Sequence, residues 1–535
     1  MVRTALLDAL RNPAFYPDPT QHVEVRETHA SVVFLTDHYA YKIKKPVNLG
    51  FLDYSTLARR HFFCTQELRL NRRLCPDVYL DVMALRREPH GYSFSGHGPV
   101  VEYALKMRRL PDTSTLAALL RHDTVAPQTI QALAQRLAAF HAASPPPPPV
   151  QQYGTLTQVQ ADWQENFAQT ASCIGITLSQ QDYDQIHHAV TTFTAQHADW
   201  FAQRVHEGRI RDCHGDLRAE HVYVIDGQIH ILDCIEFAPR FRFIDVASEV
   251  AFLAMDLDRL RFPRAARQFV QAYVASSADV TLYRLLDFYR CYRAYVRGKV
   301  ISILLQEAPP GQECPQGQHD AADAFQLAAR YAMRCVQPLL ILTTGLIGSG
   351  KSTLAAGVAA ALDAHVFSAD RVRKERAGLT PETPQRVAYG TGLYSAATTQ
   401  QTYDALADLA RQSLTRGESV MLDASFAKRA ERVRMTALAR ALGAECYLLE
   451  CLAPEQAIRK RLEQRQRAAM SISDGRWDIF TQFQHSYEPV QEDEPAWHVR
   501  LDTTQDMAQC VQQALGAIEE GRGGIQGRKV ERCIA

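Results

Sequence analysis

Between residues 23 and 45 apolar and polar positions alternate. A Thr36-Asp37-His38 break divides them into two runs, the pattern of a β-hairpin. A helical period follows over 55–75, then strand-like runs near 78–84 and 99–107. From about 114 to 206 the period is mostly helical. Short β runs return at 222–225 and 229–233 around Asp226-Gly227, a strong tight-turn pair. Helical periods then fill 245–335. After Pro338 the order becomes strand, glycine-rich turn, helix, repeated, which is how a parallel α/β sheet is written. Two architectures therefore meet near 336.

Three stretches punctuate this pattern. Ser144–Pro149 is a stiff polyproline connector, 306–320 is rich in Pro, Gly and Gln, and the tail from Gly521 offers little to bury. There is no internal repeat. With 535 residues the chain exceeds the roughly 250–300 that one hydrophobic core serves. The predicted organisation is an amino lobe at 1–105, a helical lobe at 106–335, an α/β domain at 336–520 and a disordered tail at 521–535.

Lys+Arg and Asp+Glu both number 59, so bulk charge favours neither nucleic acid nor an anionic membrane. No apolar run reaches the roughly 18 residues of a membrane span, and the first residues lack the apolar core of a signal peptide. The 12 cysteines form no CxxC pair, and the scattered histidines lack metal-ligand spacing. These features predict reduced thiols and a cytoplasmic protein.

Candidate chemistry concentrates in two places. In PLLILTTGLIGSGKST, Gly345, Gly350, Lys351 and Ser352 complete a P-loop pattern, with an apolar run before it and an Ala/Leu helix after it. Gly345, Gly348, Ser349, Gly350 and Thr353 belong to the turn whose backbone N–H groups cradle phosphates. Lys351 reaches the β/γ-phosphates of ATP and the Ser352 hydroxyl helps to hold Mg²⁺. The strand SVMLDAS ends at Asp423, in the place of a Mg²⁺-binding carboxylate. Asp370 and Arg373 follow another short strand, suited to taking an acceptor proton and binding acceptor or phosphate. Arg461 and Arg465 share one face of a cationic helix, read equally well as a lid or as a solvated surface.

The second place is 211–257, with His214-Gly215-Asp216, a hairpin, and Asp233 at a strand end. Phosphoryl transfer to a hydroxyl needs such a pair, one carboxylate for the acceptor proton and one for the metal. A cationic partner is offered by AYKIKKPV, where Lys42 and Lys44 share a strand face and Glu67 follows on the next helix. Lys42 is the first choice for phosphate, with Lys44 an open alternative.

The P-loop segment, roughly 338–505, resembles the small P-loop kinases of the polynucleotide kinase, zeta-toxin and gluconate kinase types. That resemblance implies acceptor roles for Asp370 and Arg373 and lid roles for Arg461 and Arg465. The stretch 471–489 looks like the one that follows such a lid. The earlier region resembles the aminoglycoside phosphotransferase and choline kinase branch of the kinase-like fold. More closely, HGDLR, LDCIEF and YKIKKPVNLGF resemble bacterial proteins that fuse this domain to a P-loop domain. The resemblance implies Asp216 as catalytic base, Asp233 as metal ligand and Glu102–Ala104 as the adenine hinge. Two departures stand out. His221 occupies the position of the usual metal-binding Asn, beside Glu220, and the first hairpin carries no glycine. Imidazole is a poorer Mg²⁺ ligand than an oxygen donor.

The sequence therefore predicts a two-lobed α+β kinase-like domain followed by an α/β P-loop domain with a parallel sheet. Its expected activity is transfer of the ATP γ-phosphoryl to a hydroxyl of a small molecule, with nucleic-acid ends not excluded and acceptor and oligomeric state undefined. Two rivals remain: an inert ligand-binding pseudokinase regulating the P-loop enzyme, and an ATP-driven switch without an acceptor.

Overall fold

The computed structural model describes residues 2–50, 52–144, 148–307, 314–381, 383, 388, 390–467, 475–491, 494 and 496–523. Much of the polyproline run, part of 306–320, residues 471–474 of the post-lid stretch and the tail beyond 523 lie outside the described residues. No helix among the described residues is long and apolar enough to cross a membrane.

The chain forms two compact units, one of 1–180, 194–278 and 292–328, the other of 181–193, 279–291 and 329–535. This differs from a single cut at 336, because two helical segments from mid-chain pack with the P-loop unit. A buried charge network holds them there. Arg290, 1% exposed, pairs with Asp287 at 3.4 Å and with Glu519, and Arg522 lies 3.7 Å from Asp287. Arg522 also shows why the expected tail does not begin at Gly521: its helix, Met507–Gly523, runs on to place that guanidinium.

In the first unit an antiparallel sheet is built from β1 (Glu24–Glu27), β2 (Ser31–Leu35), β3 (Tyr39–Lys44), β4 (Tyr79–Glu88), β5 (Gly91–Ser93) and β6 (Val100–Arg108). Its order is β1-β2-β3-β6-β4-β5. Thr36 closes the first hairpin, its Oγ1 accepting from Tyr39 N at 3.1 Å. The predicted lobe boundary at 105 falls inside β6, which continues to Arg108. The Leu57–Asn71 helix is capped by Thr56, whose side chain accepts from Arg59 N, and its far end is stapled to the 212–234 segment. Asn71 Oδ1 accepts from Cys234 N at 2.9 Å, and Arg73 donates to the carbonyls of Asp212 at 3.1 Å and Cys213 at 3.2 Å. The helical lobe is built around Val246–Arg259, apolar on nearly all faces and buried from Val246 to Leu257, as such a sequence must be. Small ribbons pair β7 (Ile210–Asp212) with β10 (Phe243–Asp245), and β8 (Val222–Ile225) with β9 (Gln228–Ile231). The Asp226-Gly227 turn has φ of 51° and 74°, the left-handed pair of a type I′ hairpin. The three-residue strands β5, β7 and β10 carry too few positions to announce themselves by alternation.

The second unit is a five-stranded parallel sheet of β11 (Leu339–Thr344), β12 (His365–Ser368), β13 (Val420–Asp423), β14 (Glu445–Leu452) and β15 (Trp497–Asp502). The order β12-β13-β11-β14-β15 puts β11 between β13 and β14. Every residue of β11 is buried, as expected for a strand covered on both faces. The chain crosses from β11 to one side for β12 and β13 and to the other for β14. Such a switch point opens a crevice at the carboxyl ends of the strands.

Candidate active sites

In the first unit Lys42 and Lys44 project from one face of β3 toward Glu67. Lys42 Nζ donates to Glu67 Oε1 at 2.8 Å and to Asp233 Oδ1 at 2.9 Å. Lys44 Nζ donates to Glu67 Oε2 at 2.6 Å, to the Tyr54 hydroxyl at 3.3 Å and to Glu236. Exposure separates the two lysines: the Lys44 side chain is 1% exposed and that of Lys42 18%. Lys42 is therefore the more accessible of the two, and Lys44 anchors the helix from behind. Burial opposes charge on Glu67, but the two ammonium groups outweigh it and hold the carboxyl below its ordinary value. Asp233 is held far below its ordinary value chiefly by Lys42. It sits at φ 65°, a left-handed conformation that Asp tolerates better than most side chains.

Asp216 is gripped by Arg218, whose Nε donates to Oδ1 at 3.1 Å and Nη2 to Oδ2 at 3.4 Å. The same guanidinium donates to Glu220 at 3.0 Å and to His221 Nε2 at 2.8 Å. His221 Nδ1 donates to the Asp216 carbonyl at 2.9 Å, which leaves Nε2 as the acceptor. His221 Nε2 also lies 3.9 Å from Asp233 Oδ2. It thus stands between the two carboxylates, but its lone pair is engaged by Arg218. Burial raises Asp216, and Arg218 and His221 overcome it to give a net lowering. The proposed hinge is corrected. Glu102 is buried against Arg60 at 2.8 Å, and Ala104 pairs with both Ile43 and Met83 in mid-sheet. Its backbone is consumed by the ladders, and the chain leaves the sheet only after Arg108.

The His214-Gly215-Asp216 segment rests on a residue the sequence did not single out. Glu249, fully buried, accepts from His214 N at 2.9 Å and Gly215 N at 2.6 Å. His141 Nε2 donates to it at 2.9 Å, and the Tyr273 hydroxyl lies 2.8 Å from His141 Nδ1. A carboxylate inside the apolar run VASEVAFLAMDL was the available signal. His141, Cys213 and Glu249 form the one cluster of metal-ligand types among the described residues. Burial pushes the Cys213 thiol well above its ordinary value, and the other two groups are spent on these bonds, so the triplet braces the loop.

Burial alone would raise Glu249, but His141, His214 and the backbone donor hold it at about 2, below its ordinary 4.5. Its stabilising contribution is therefore complete above about pH 4.5 and lost as pH falls toward 2, on the order of 3 kcal/mol in all. Urea unfolding of Glu249→Gln should show a large deficit at pH 7 that narrows below pH 4.5. A deficit independent of pH would refute the assignment.

In the second unit the P-loop joins β11 to the Lys351–Leu362 helix. Gly345 and Gly348 adopt φ of 132° and 78°. A Cβ on Gly345 would lie 2.5 Å from the Cys451 carbonyl, and one on Gly348 2.9 Å from Leu462. Lys351 Nζ donates to the carbonyls of Gly345 at 3.1 Å and Leu346 at 2.7 Å, folded across the loop. Burial lowers its pKa. Ser352 and Thr353 are exposed on the first helical turn, and Ser352 bonds Asp423. Asp423, 9% exposed, is raised by burial. Ser349 Oγ is buried without a hydrogen-bond partner. Thr343 Oγ1, also buried, donates to the Ala424 carbonyl at 3.0 Å and accepts from its N–H at 3.2 Å, fixing the backbone beside Asp423. The strand runs two residues past the apolar 339–342 run, to Thr344.

Asp370 and Arg373 fall in the Ala369–Arg376 helix and pair at 2.7 Å, with Arg373 lying over the Tyr394 ring at 4.6 Å. Arg461 and Arg465 fall in the Glu455–Arg467 helix. Arg461 is committed to Thr503, donating to its Oγ1 at 3.3 Å and to its carbonyl, while Thr503 Oγ1 donates to the Ser349 carbonyl at 2.6 Å. Arg465 is the one whose charge acts on both Lys351 and Asp423. Ile458 and Leu462 of this helix pack with Leu346 and Ile347 of the loop, so its position is set by apolar contact.

The first unit thus joins an antiparallel-sheet lobe to a helical lobe, and the second is a parallel α/β sheet carrying a P-loop. Residues 340–490 match the AAA domain family. The uncharacterized protein Rv2004c of Mycobacterium tuberculosis is 34% identical over 427 residues, covering 79% of this chain and 82% of that protein. An uncharacterized Mycobacterium bovis protein gives the same figures. The chain belongs to the family of these mycobacterial proteins. Among solved structures, a choline/ethanolamine kinase family protein from Mesorhizobium loti is similar over 62% of this chain and 95% of its own, at 14% identity and a TM-score of 0.39. A sugar kinase from a Janibacter species covers 34% and 95% at 21% identity and a TM-score of 0.27. The APS kinase of Mycobacterium tuberculosis, in complex with AMPPNP and APS, covers 34% and 98% at 18% and 0.26.

Proposed function

We propose that the chain is an ATP-dependent phosphotransferase with a MgATP site in each unit, each passing the γ-phosphoryl to a hydroxyl of a small molecule. One recurring arrangement carries this reading: a phosphate-type lysine, a metal-type carboxylate and an acceptor-type carboxylate occur together twice. In the first unit they are Lys42, Asp233 and Asp216, with Glu67 behind Lys42. In the second they are Lys351, Asp423 and Asp370, both carboxylates acting on the lysine charge.

The hydroxyl of Ser352 and the carboxylate of Asp423, already bonded to each other, are oxygen donors that fit Mg²⁺. In the first unit Asp233 supplies oxygen and His221 a nitrogen facing it, a mixed set less suited to that ion. When bound, Mg²⁺ neutralises charge on the β- and γ-phosphates. Lys42 and Lys351 hold phosphate oxygens, Asp216 and Asp370 take the acceptor proton, and Arg373 and Arg465 meet negative charge on acceptor and transferred group.

Transfer of labelled γ-phosphate to a panel of hydroxylated metabolites tests this, using Asp216→Ala and Asp370→Asn separately. Each variant should lose label on the acceptors of its own unit by at least about a hundredfold. Full transfer by both variants would refute the assigned roles. A second reading, a ligand-binding first unit without transfer, is favoured by the Arg218 grip on Asp216 and His221. It predicts that Asp216→Ala changes nothing.

A further inference from the structure

The Leu282–Glu307 helix carries Arg293 and Arg297 one turn apart, on the face toward the catalytic segment. Arg293 Nη1 donates to the Gly215 carbonyl at 3.4 Å and its Nε to Ser248 Oγ at 3.1 Å, next to Asp216 in sequence and space. Arg297 is different. Its Nε is buried and has no hydrogen-bond partner, and no carboxylate pairs with its guanidinium among the described residues. The neighbouring charges do not supply one. Arg218 is taken by Asp216 and Glu220, and Arg259 pairs with Asp256, which also accepts from Ala219 N at 3.0 Å. Asp162 lies within electrostatic reach of Arg293, while Glu165 pairs with Arg240 at 2.7 Å. Burial and the charges of Arg218 and Arg259 all act against the charged form of Arg297, and Asp216 and Asp256 only partly offset them.

A half-buried guanidinium without a counter-ion is a cost to the unliganded fold. It becomes favourable when an oxyanion arrives, because a planar fork of donors suits phosphate or carboxylate. Asp216, the group that meets the acceptor hydroxyl, lies within electrostatic reach of it. We propose that Arg297 forms an anion subsite that selects a hydroxyl acceptor bearing a phosphate or carboxylate. This rests on the phosphotransferase reading of the first unit and adds the substrate class. A polycationic acceptor such as an aminoglycoside, or a quaternary amino alcohol, would bring positive charge to arginines that already repel one another.

The test uses the full chain carrying Lys351→Ala, so that the P-loop contributes little phosphate binding, and orthophosphate as the probe in isothermal calorimetry. Saturable phosphate binding is expected. It should weaken at least tenfold on adding Arg297→Met and no more than a few-fold on adding Arg297→Lys. The melting temperature of the Arg297→Met protein should be unchanged or higher, since an unpaired charge has been removed; a role in holding the fold predicts the opposite. Saturating Mg-AMPPNP should leave phosphate affinity intact. Absent phosphate binding, or equal binding with Arg297→Met, would overturn the subsite. Competition by Mg-AMPPNP would assign Arg297 to the transferred phosphate and overturn the acceptor claim. If phosphate binds but Mg-AMPPNP does not bind to the Lys351→Ala protein, the kinase reading of the first unit fails, and with it the acceptor role. Phosphate failing while Mg-AMPPNP binds removes the subsite alone.

Discussion

Lys351→Ala is expected to lower ATP turnover by the second unit by about a hundred- to a thousandfold, the usual loss when a donor aimed at developing phosphate charge is removed. The half-buried ammonium is bonded, among the described residues, to the Gly345 and Leu346 carbonyls at 3.1 and 2.7 Å. Two neutral acceptors do not repay the desolvation of a full charge, which is why its pKa is lowered. Phosphate oxygens would repay it, and most fully when the transferred group carries its greatest charge. The fold should be unaffected, because those carbonyls lie on a loop whose path is set by Gly345, Gly348 and the packing of Leu346 and Ile347. Steady-state turnover in an Asp216→Ala background isolates this unit. Turnover within threefold of the parent would exclude Lys351 from the chemistry.

Glu67→Ala should produce the largest loss of stability in the first unit, about 3–5 kcal/mol, the typical cost of stripping one partner from a buried ion pair. Glu67 is fully buried and bridges Lys42 and Lys44 at 2.8 and 2.6 Å. Lys44 would keep Glu236 and Tyr54, and Lys42 would keep Asp233, so part of the charge remains compensated. Urea unfolding monitored by tryptophan fluorescence gives the loss directly. Replacing Lys44 by Met as well should deepen it, because buried Glu236 then loses its ammonium partner. A single-variant loss below about 1 kcal/mol would mean that water relaxes into the site.

The candidate site was unevenly legible. Local geometry made the P-loop readable: its glycines, lysine and serine act within one turn, and the flanking strand and helix are contiguous with it. The same holds for the Asp226-Gly227 turn and for Asp423 at a strand end. The adenine hinge was misplaced because a motif carried over by resemblance does not say where in a strand it falls. Pairing of Ala104 on both sides settles that it lies in mid-sheet. The choice between Lys42 and Lys44 was open because strand alternation puts both on one face, and only burial ranks them.

Sequence alone determined the two architectures, the P-loop and the two pairs of aspartates, because periodicity and tight turns are short-range properties written in consecutive residues. Tertiary structure alone decided which charges are spent and which are free. Arg461 is tied to Thr503, Arg218 to Asp216 and His221, and Glu249 to the amides of His214 and Gly215. Among the described residues Arg297 is left without a counter-ion. A side chain's charge is fixed by its identity, but its partner comes from any distance along the chain. Whether an arginine braces the fold or waits for a ligand is therefore settled only when the chain has closed around it.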